Sequence, residues 1–464
     1  MSLYSDNSAL EEPKVMLEEQ KDIEEYELLN KAFDDLFPLL RSITGPGIEQ
    51  SLRYFQQFMP LKMEKVPTGS QVFDWIVPKE WHCHSAKLIA PNGEVVVDLR
   101  ENNLHVVNYS APFRGELSLD ALQPHLHSLP NQPEAIPYVT SYYHEKWGFC
   151  LSEQQRQSLV PGNYRVEINS EFIDGGVPFS HCLLNGESQK EILLTSYLCH
   201  PSLANNELSG PLVLLGLYLR MLKWPKRRYS YRFLLNPETI GSLCFLHNYG
   251  KHLQENLISG AILTCLGGDQ EKIRIKHSRM NDGLFDRCAK YLQKSNRVRT
   301  LPFCPTGGSD ERQYCAPGFN LPMVQIAKTF TTEYNGYHNS LDTKEFMSIA
   351  SLQDSIDQLE TFLLNAEMCG YPINQSPFGE PQLGKRNLYP SMNSEQTRSQ
   401  STDSIFDGRL YLNAILTILN NSDGGHDLFK IAEKVGCDVQ DLFPLIKRLE
   451  SENLIKYGVE LDSL

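Results

Sequence analysis

The most constraining feature of the sequence is an apolar run that ends in a histidine. Residues 192–199 are mostly apolar, and His200 and Pro201 follow at once. A run of this length with little alternation is typical of a strand buried on both faces of a parallel sheet. Such a strand needs helices on both sides, so the run predicts an α/β core. It also predicts His200 at the carboxyl end of the sheet, where open α/β sheets hold their functional sites.

The sequence that follows alternates between helix-like and strand-like segments. We predict helices at 208–222, 240–249, 284–292 and 346–368, and strands at 229–235, 261–265 and 323–327. This alternation indicates βαβ units and a mainly parallel sheet. Two further helices are predicted before it, at 23–44 and 48–59. Gly210, near the start of the 208–222 helix, would let that helix approach the sheet closely.

Other regions differ in character from this core. Residues 72–174 alternate apolar and polar positions between frequent Pro and Gly turns, which predicts an inserted β-rich domain. The α/β domain would then comprise 23–71 and 175–370. Residues 371–404 have the composition of a linker. Residues 405–464 contain three short helical patterns and a small β wing, which predicts a winged-helix domain.

The charge of the chain excludes some partners. Its net charge is −14 at pH 7, which argues against nucleic acid or an anionic membrane as the main partner. Residues 405–464 hold six Lys or Arg against ten Asp or Glu, a net of −4. The predicted winged helix therefore favours protein contact or self-association over DNA binding.

Cysteine usage and hydropathy indicate a compartment. The eleven cysteines are spread singly with no C-x-x-C pair, which favours reduced thiols over disulfides or a zinc ribbon. No apolar stretch reaches the ~20 residues that span a bilayer. Residues 1–21 are acidic and polar, unlike a signal peptide. We therefore expect a cytoplasmic protein with no membrane partner.

Side chains that can do chemistry follow the predicted strands. They are His200, Asn206, Glu207, Glu238, Cys265, Asp310, Glu311, Arg312, His338 and Asp342. Because parallel strands end at the same edge of a sheet, we expect several of these side chains to meet. Two histidines with one carboxylate are the minimum set for a hydrolytic metal centre.

Each of these residues alone also fits a structural role. His200 could be a hydrogen-bonded core histidine, and Glu207 and Glu238 could be first-turn acids favoured by a helix dipole. Glu238 could equally be a metal ligand or a general base. Cys199 and Cys265 could be ligands, although small packing residues are the commoner use of buried cysteine.

Taken in order, the motifs resemble those of a known family. The set His200, Ala204–Gly210, Pro237–Ser242, Ser309–Glu311 and Tyr337–Thr343 is similar to the co-catalytic zinc aminopeptidases of the bacterial leucyl aminopeptidase and glutaminyl cyclase superfamily. The chain more closely resembles a bacterial group of aminopeptidase-like proteins with an inserted β domain and a C-terminal winged helix. Matching phrases are Gly69–Trp75, Ile136–Tyr143 and Gly308–Cys315.

This resemblance covers residues 23–464 and implies a fold. That fold is an α/β, phosphorylase/hydrolase-like zinc-exopeptidase sandwich with a mainly parallel sheet. The resemblance also implies that His200, Glu238 and His338 bind zinc. Asn206, Asp310, Arg312, Cys265 and Asp342 would surround the metal or the substrate.

The sequence departs from the family pattern at three positions. Asn206 stands where the peptidases have a metal-bridging aspartate, Pro237 where they have the general-base glutamate, and Cys265 where an aspartate ligand is expected. Each lost carboxylate removes negative charge that two divalent ions need, so one ion fits better than two. The general base is then open, with Glu207 as the first candidate and Glu311 as the second.

These observations predict a zinc-dependent, aminopeptidase-like hydrolase with one metal. Its substrate would be an amide bond in a small peptide or in an aminoacyl or acylamino conjugate. The alternative is a catalytically impaired fold that acts as a ligand-binding or partner-binding module. The losses at Asn206 and Pro237 favour the alternative. The retained polar groups oppose it, because buried polar side chains cost free energy unless they are paired.

Overall fold

The structure is a computed structural model that describes residues 14–329, 333–389 and 408–457. The chain divides into two compact units: the first holds the described residues of Met1–Asp286 and Asn296–Leu359, and the second those of Arg287–Ser295 and Glu360–Leu464. The part of the predicted linker after Tyr389, and the part of the predicted wing after Tyr457, lie outside the described residues, as do residues 1–13.

The helices begin and end as follows. They are α1 (Lys14–Leu36), α2 (Pro46–Phe55), α3 (Leu119–Leu122), α4 (Glu153–Gln157), α5 (Ser209–Leu222), α6 (Ile240–Asn256), α7 (Leu284–Lys294), α8 (Glu311–Tyr314), α9 (Lys344–Met347), α10 (Ile349–Met368), α11 (Gly408–Asn421), α12 (Leu428–Val435) and α13 (Val439–Ser451). Within these described residues, no helix is long and apolar enough to cross a membrane.

The strands are mostly short. They are β1 (Lys62–Pro67), β2 (Gln71–Val72), β3 (Trp75–Ile76), β4 (Glu80–Ile89), β5 (Val95–Asp98), β6 (Phe113–Ser118), β7 (Leu126–His127), β8 (Phe149–Cys150), β9 (Asn163–Ile173), β10 (Gly176–Leu184), β11 (Glu191–Tyr197), β12 (Ser230–Asn236), β13 (Leu257–Leu263), β14 (Arg274–Lys276), β15 (Arg299–Leu301), β16 (Met323–Ala327), β17 (Ile373–Asn374) and β18 (Ile455–Lys456).

An eight-stranded sheet forms the core of the first unit. Its order is β1-β10-β12-β11-β13-β16-β14-β15, and the four central strands β12, β11, β13 and β16 run parallel. Antiparallel pairing occurs only toward its edges, between β1, β10 and β12 and between β14 and β16. Every residue of β11, β12 and β16 is buried, which the apolar run predicted for β11. The predicted α/β class with a mainly parallel sheet is therefore confirmed.

The helix after β11 lies unusually close to the sheet. A Cβ atom on Gly210 would collide with the Ser196 hydroxyl and with the carbonyl oxygen of Leu263. The sequence predicted this approach but not what precedes it: Ala204–Leu208 forms a π-helical turn that leads into α5. Such turns are rare and are frequent at functional sites.

Two predicted helices differ from the structure in where they are interrupted or end. The helix predicted to reach residue 44 ends at Leu36. Pro38 is close behind it, and a residue before proline avoids the helical conformation. The helix predicted over 346–368 is split into α9 and α10 at Ser348, which has a φ of 46°.

Residues 71–173 are rich in β structure outside the eight-stranded sheet. Strands β5-β4-β9-β6 form an antiparallel four-stranded sheet, and β2–β3 and β7–β8 form two small pairs. The alternation of apolar and polar residues over 72–174 reflects this pairing. That these residues are a separate inserted domain stays a proposal.

The second unit contains the predicted winged-helix elements. Helices α11, α12 and α13 follow one another, with Asp427 capping the start of α12 and Gly436 ending it in the left-handed conformation. The short strand β18 pairs antiparallel with β17. Its partner β17 lies within the residues that the composition predicted to be a linker. A strand of two residues leaves almost no periodic signal, so the sequence did not predict it.

Candidate active site

A cavity of about 400 Å³ lies beyond the carboxyl ends of β11 and β12. Three predicted metal ligands, His200, Glu238 and His338, line it together. The Nε2 atom of His200 lies 3.8 Å from Oε2 of Glu238. The imidazole rings of His200 and His338 are 5.3 Å apart between centroids. The structure therefore brings these three side chains to one wall.

Glu207 lies behind His200, away from the cavity. It is fully buried, and its Oε2 is 2.8 Å from Nδ1 of His200. Its Oε1 accepts the backbone N–H of Cys199. Burial alone would lower the pKa of His200, but Cys199 and Glu207 outweigh burial and raise it. Nδ1 therefore faces the Glu207 carboxylate and Nε2 faces Glu238, and a metal ion held at Nε2 would take the place of a proton there.

The loop before α6 holds Glu238 with help from the loop before α8. The Ser309 hydroxyl donates to Oε1 of Glu238 over 2.8 Å. Asp310 accepts the backbone N–H of Thr239 over 2.7 Å and the side-chain amide of Asn236 over 3.3 Å. Burial raises the pKa of Glu238, and burial together with the Glu238 charge raises the pKa of Asp310 to about 7. Asp310 therefore fixes the backbone that carries Glu238.

His338 is held by the chain segment that contains Tyr138. The backbone N–H of Tyr138 donates to the His338 carbonyl over 2.9 Å, and the two rings meet edge to face at 5.7 Å. Burial, with a contribution from His200, lowers the pKa of His338 to about 3. Its imidazole is therefore neutral near neutral pH, which is the form that binds a metal ion.

The backbone is strained around this cavity. Tyr143, Thr239 and His338 line it with φ values of 64°, 62° and 56°. The left-handed region costs a non-glycine residue roughly 1–3 kcal/mol and persists only where the surroundings enforce it. Such strain concentrates at functional sites.

Two of the donors that face the cavity, on His200 and Glu238, are spaced to share one metal ion. Zinc bonds of about 2.0–2.2 Å in tetrahedral geometry separate neighbouring ligand atoms by roughly 3.4 Å. The observed 3.8 Å between His200 and Glu238 is close to that separation. Among the described residues, the set of three donors whose atoms all lie within 4.8 Å of one another is Cys199, His200 and Glu207, without Glu238 or His338. However, burial raises the pKa of the Cys199 thiol to about 11, so near neutral pH it is protonated and a poor ligand.

Asn206 and Cys265 lie beyond Glu238, near Asp342. Asp342 accepts the backbone N–H groups of Asn205 and Asn206, each over 2.8 Å. The Asn206 amide approaches the Cys265 sulfur at 3.8 Å, and burial raises the pKa of that thiol to about 12. Asn206 and Cys265 line a second cavity, of about 340 Å³, which Glu238 shares. An amide and a protonated thiol stand where the resemblance implied carboxylate ligands.

Glu311 and Arg312 are directed elsewhere. Glu311 is fully buried, forms an ion pair with Lys276 and accepts the backbone N–H of Ser309 over 2.9 Å. Arg312 donates to the Ser309 carbonyl over 3.0 Å. Neither Glu207 nor Glu311, the two candidate bases, lines either cavity.

Sequence reasoning assigned no role to the aromatic wall of the first cavity. This wall consists of Trp75, Tyr138, Tyr142 and Tyr143. Three of them fall in the phrase Ile136–Tyr143, which carried part of the resemblance. Three tyrosines close together in the sequence could have indicated a binding surface. The sequence separation of Tyr138 and His338 gives no sign that the two residues are in contact.

Comparisons with known proteins agree with this fold. The family model of DUF4910, a domain of unknown function, matches residues 30–368, and a winged helix-turn-helix model matches residues 371–457. A curated Clostridium acetobutylicum protein is 37% identical over 407 residues, covering 87% of this chain and 90% of its own. It is named "Putative polysaccharide biosynthesis protein with aminopeptidase-like domain".

Solved structures give the same result. A Clostridium acetobutylicum structure described as a "putative peptidase" has a TM-score of 0.81 at 34% identity, covering 96% of this chain and 100% of its own. A zinc aminopeptidase from Bacillus subtilis has a TM-score of 0.55 at 12% identity, covering 74% and 94%. The second likeness shows the fold alone. The predicted aminopeptidase-like fold and C-terminal winged helix are confirmed.

Proposed function

Because this chain belongs to the DUF4910 family and has an aminopeptidase-like fold, we propose that it is a zinc-dependent hydrolase. It cleaves an amide bond in a small peptide or in an aminoacyl or acylamino conjugate. The observation that carries this proposal is the convergence of His200, Glu238 and His338 on one cavity wall. These residues would hold one zinc ion, which, when bound, polarises an amide carbonyl.

The remaining residues of the site position these ligands. Glu207 orients His200 through Nδ1, as carboxylates commonly do for metal-binding histidines. Ser309 and Asp310 hold Glu238 through its carboxylate and its neighbouring backbone. The neutral amide of Asn206 and the protonated thiol of Cys265 support one ion rather than two.

A second candidate function is a binding module with impaired catalysis. It is favoured by one observation: among the described residues, the carboxylate that lines the cavity is Glu238 alone. If Glu238 holds the ion, no second carboxylate is in reach for proton transfer. Under this candidate the cavity binds its ligand, and turnover is absent.

Metal analysis tests the proposal directly. We expect about one zinc per chain in protein purified without chelator. His338→Ala should lose it, while the exposed His84→Ala should retain it. Cys199→Ala distinguishes the two possible sets of ligands. If this variant retains zinc, the ligands are His200, Glu238 and His338; if it loses zinc, they are Cys199, His200 and Glu207. A wild-type chain that binds no zinc even after reconstitution contradicts the proposal.

Turnover separates the two candidate functions. Zinc-loaded protein should release free amine from peptide amides or from acylamino conjugates, and His338→Ala should not. Ligand binding without any amine release, in a protein that holds zinc, supports the binding module instead. The Clostridium acetobutylicum relative is named for polysaccharide biosynthesis, so we include sugars among the acylamino conjugates to be tested.

The remaining assignments concern partners and location. We propose protein contact or self-association for the winged helix, in keeping with its acidic charge. A cytoplasmic location is supported by the eleven cysteines, all of which lie in the described residues and form no disulfide bond.

A further inference from the structure

Two exposed aromatic side chains form the mouth of the 400 Å³ cavity. Trp75 is 38% exposed and Tyr143 is 45% exposed, and both line the cavity that His200 and Glu238 also line. Their rings meet edge to face with centroids 5.3 Å apart. Large aromatic surfaces left in water beside a cavity mark a ligand-binding site.

These rings are held in place by strained backbone. Trp75 lies on the β2–β3 hairpin, whose tip residue Phe73 has a φ of 54°. The Phe73 ring packs against Phe319 and His247, with centroids 5.5 and 5.8 Å away. Tyr143 has a φ of 64°. A bulky residue adopts this conformation only when its surroundings enforce it. The fold therefore fixes the positions of Trp75 and Tyr143 at the mouth of the cavity.

The wall behind the mouth is polar but uncharged. The hydroxyls of Tyr138 and Tyr142 lie 2.7 Å apart, and Thr140 adds a third hydroxyl. Over the part of the chain that the structure describes, the lining includes no Lys, Arg or Asp, and its carboxylate is Glu238. A peptide with a free ammonium would need an unengaged carboxylate, since an unpaired charge is costly to bury. The Ser309 hydroxyl already donates to Glu238, which the proposed function also assigns to the metal.

We propose that this cavity binds the uncharged pyranose ring of an N-acylated amino sugar. The C–H face of the ring packs on Trp75 and Tyr143, its hydroxyls bond to the Tyr138, Tyr142 and Thr140 hydroxyls, and its acylamino group points to Glu238. The volume is within the roughly 300–1,000 Å³ of small-molecule sites. The proposed binding of the sugar ring depends on the cavity lining alone. The proposal that the sugar is also a substrate rests on the proposed function.

The reaction that this binding mode implies is a hydrolytic deacylation. Water adds across the amide: its oxygen bonds to the carbonyl carbon, the C–N bond breaks, and the nitrogen takes up a proton. The products are the carboxylic acid and the free amine of the sugar. No oxidant or further co-reactant is needed.

The test measures binding of di-N-acetylchitobiose to the full chain by isothermal titration, with trialanine as the charged comparison. We expect the disaccharide to bind and trialanine not to bind. Trp75→Ala and Tyr143→Ala should each weaken disaccharide binding by about tenfold or more, because each removes a stacking face. Trp75→Phe should recover part of the loss. Ile76→Ala is the matched control: Ile76 is the next residue of the same hairpin, is 50% exposed and does not line the cavity.

The same measurement on zinc-free protein separates this inference from the proposed function. Suppose that the chain cannot hold zinc but still binds the disaccharide, and that this binding depends on Trp75. The proposed binding of the sugar is then supported, and the proposed function fails. The inference is overturned if the zinc-loaded wild type does not bind the disaccharide, if Trp75→Ala and Tyr143→Ala bind it as tightly as the wild type, or if trialanine binds with the same dependence on Trp75.

Discussion

At the scale of single residues, the two nitrogens of His200 face different surroundings. Nδ1 is beside the buried carboxylate of Glu207, and Nε2 faces Glu238 across the cavity wall. A carboxylate behind a metal-binding histidine fixes its tautomer and raises its basicity. In the proposed zinc site, Glu207 would therefore act on the metal through His200, and its role as a general base stays a prediction.

Replacement of Glu207 should weaken zinc binding without unfolding the chain. Glu207→Gln keeps an oxygen for the Cys199 N–H but loses the charge beside Nδ1, so we expect zinc affinity to fall about 10–100-fold. Competition with a chelator measures this. The control is Glu171→Gln, which removes a carboxylate from an exposed histidine, His84, at 2.9 Å. Unchanged zinc affinity in Glu207→Gln would contradict the orienting role.

A second prediction at this scale concerns His105 and pH. His105 is buried against the Cys150 carbonyl, and burial lowers the pKa of its imidazole. As pH falls below about 6.5, the unfolded chain takes up a proton at this residue before the folded chain does, so stability is lost. In His105→Gln, the denaturation midpoint should fall less between pH 7 and pH 5 than in the wild type. An equal fall in both proteins would rule out a contribution from His105.

At the scale of elements, the junction between β11 and α5 shows what a sequence can predict. The strand, the helix and the close approach at Gly210 all follow from apolar content and residue size. The π-helical turn at Ala204–Leu208 does not follow from them. Its backbone N–H groups at Asn205 and Asn206 donate to Asp342, which lies more than 130 residues further along the chain. That His200, Glu238 and His338 line one cavity was predictable from the ends of the strands. The contact of Tyr138 with His338 depends on a long-range pairing that leaves no local pattern.

Substitution of Gly210 tests the close approach. Gly210→Ala should destabilise the fold by about 1–3 kcal/mol, because the added methyl group collides with Ser196 and with the Leu263 carbonyl. Gly318→Ala is the control, since a Cβ atom there meets nothing within 4 Å. Urea denaturation of both variants measures the difference. Equal stability of the two variants would mean that α5 can shift away from the sheet at little cost.

At the scale of the whole molecule, charge limits what the winged helix can bind. The chain is acidic overall and also over residues 405–464. Without a basic field, a winged helix lacks the electrostatic attraction that supplies most non-specific DNA affinity. The three helical patterns and the β wing, together with the resemblance, predicted the presence of the domain, whereas no residue pattern in it identifies the partner.

DNA binding by the full chain should therefore be weak. We expect no sub-micromolar binding of duplex DNA at physiological salt, measured by fluorescence anisotropy. A triple variant, Asp438→Lys, Asp441→Lys and Glu450→Lys, reverses charge at α13 and should bind more tightly with a steeper salt dependence. Sub-micromolar binding by the wild type, with affinity falling steeply as salt rises, would contradict the expected preference for protein contact.

The pairing of Tyr138 with His338 also has a consequence for how the site assembles. The hydrogen bond from the Ile136 N–H to the Ser340 hydroxyl joins residues 204 positions apart. Contacts of such large sequence separation form late in folding, because loop closure must come first. During synthesis, a nascent chain that has emerged only as far as Gly336 has His200 and Glu238 but lacks both His338, the third of the proposed ligands, and the segment that contacts Tyr138. If the proposed zinc site forms, metal binding should therefore be among the last events in biogenesis, after the central strands are complete.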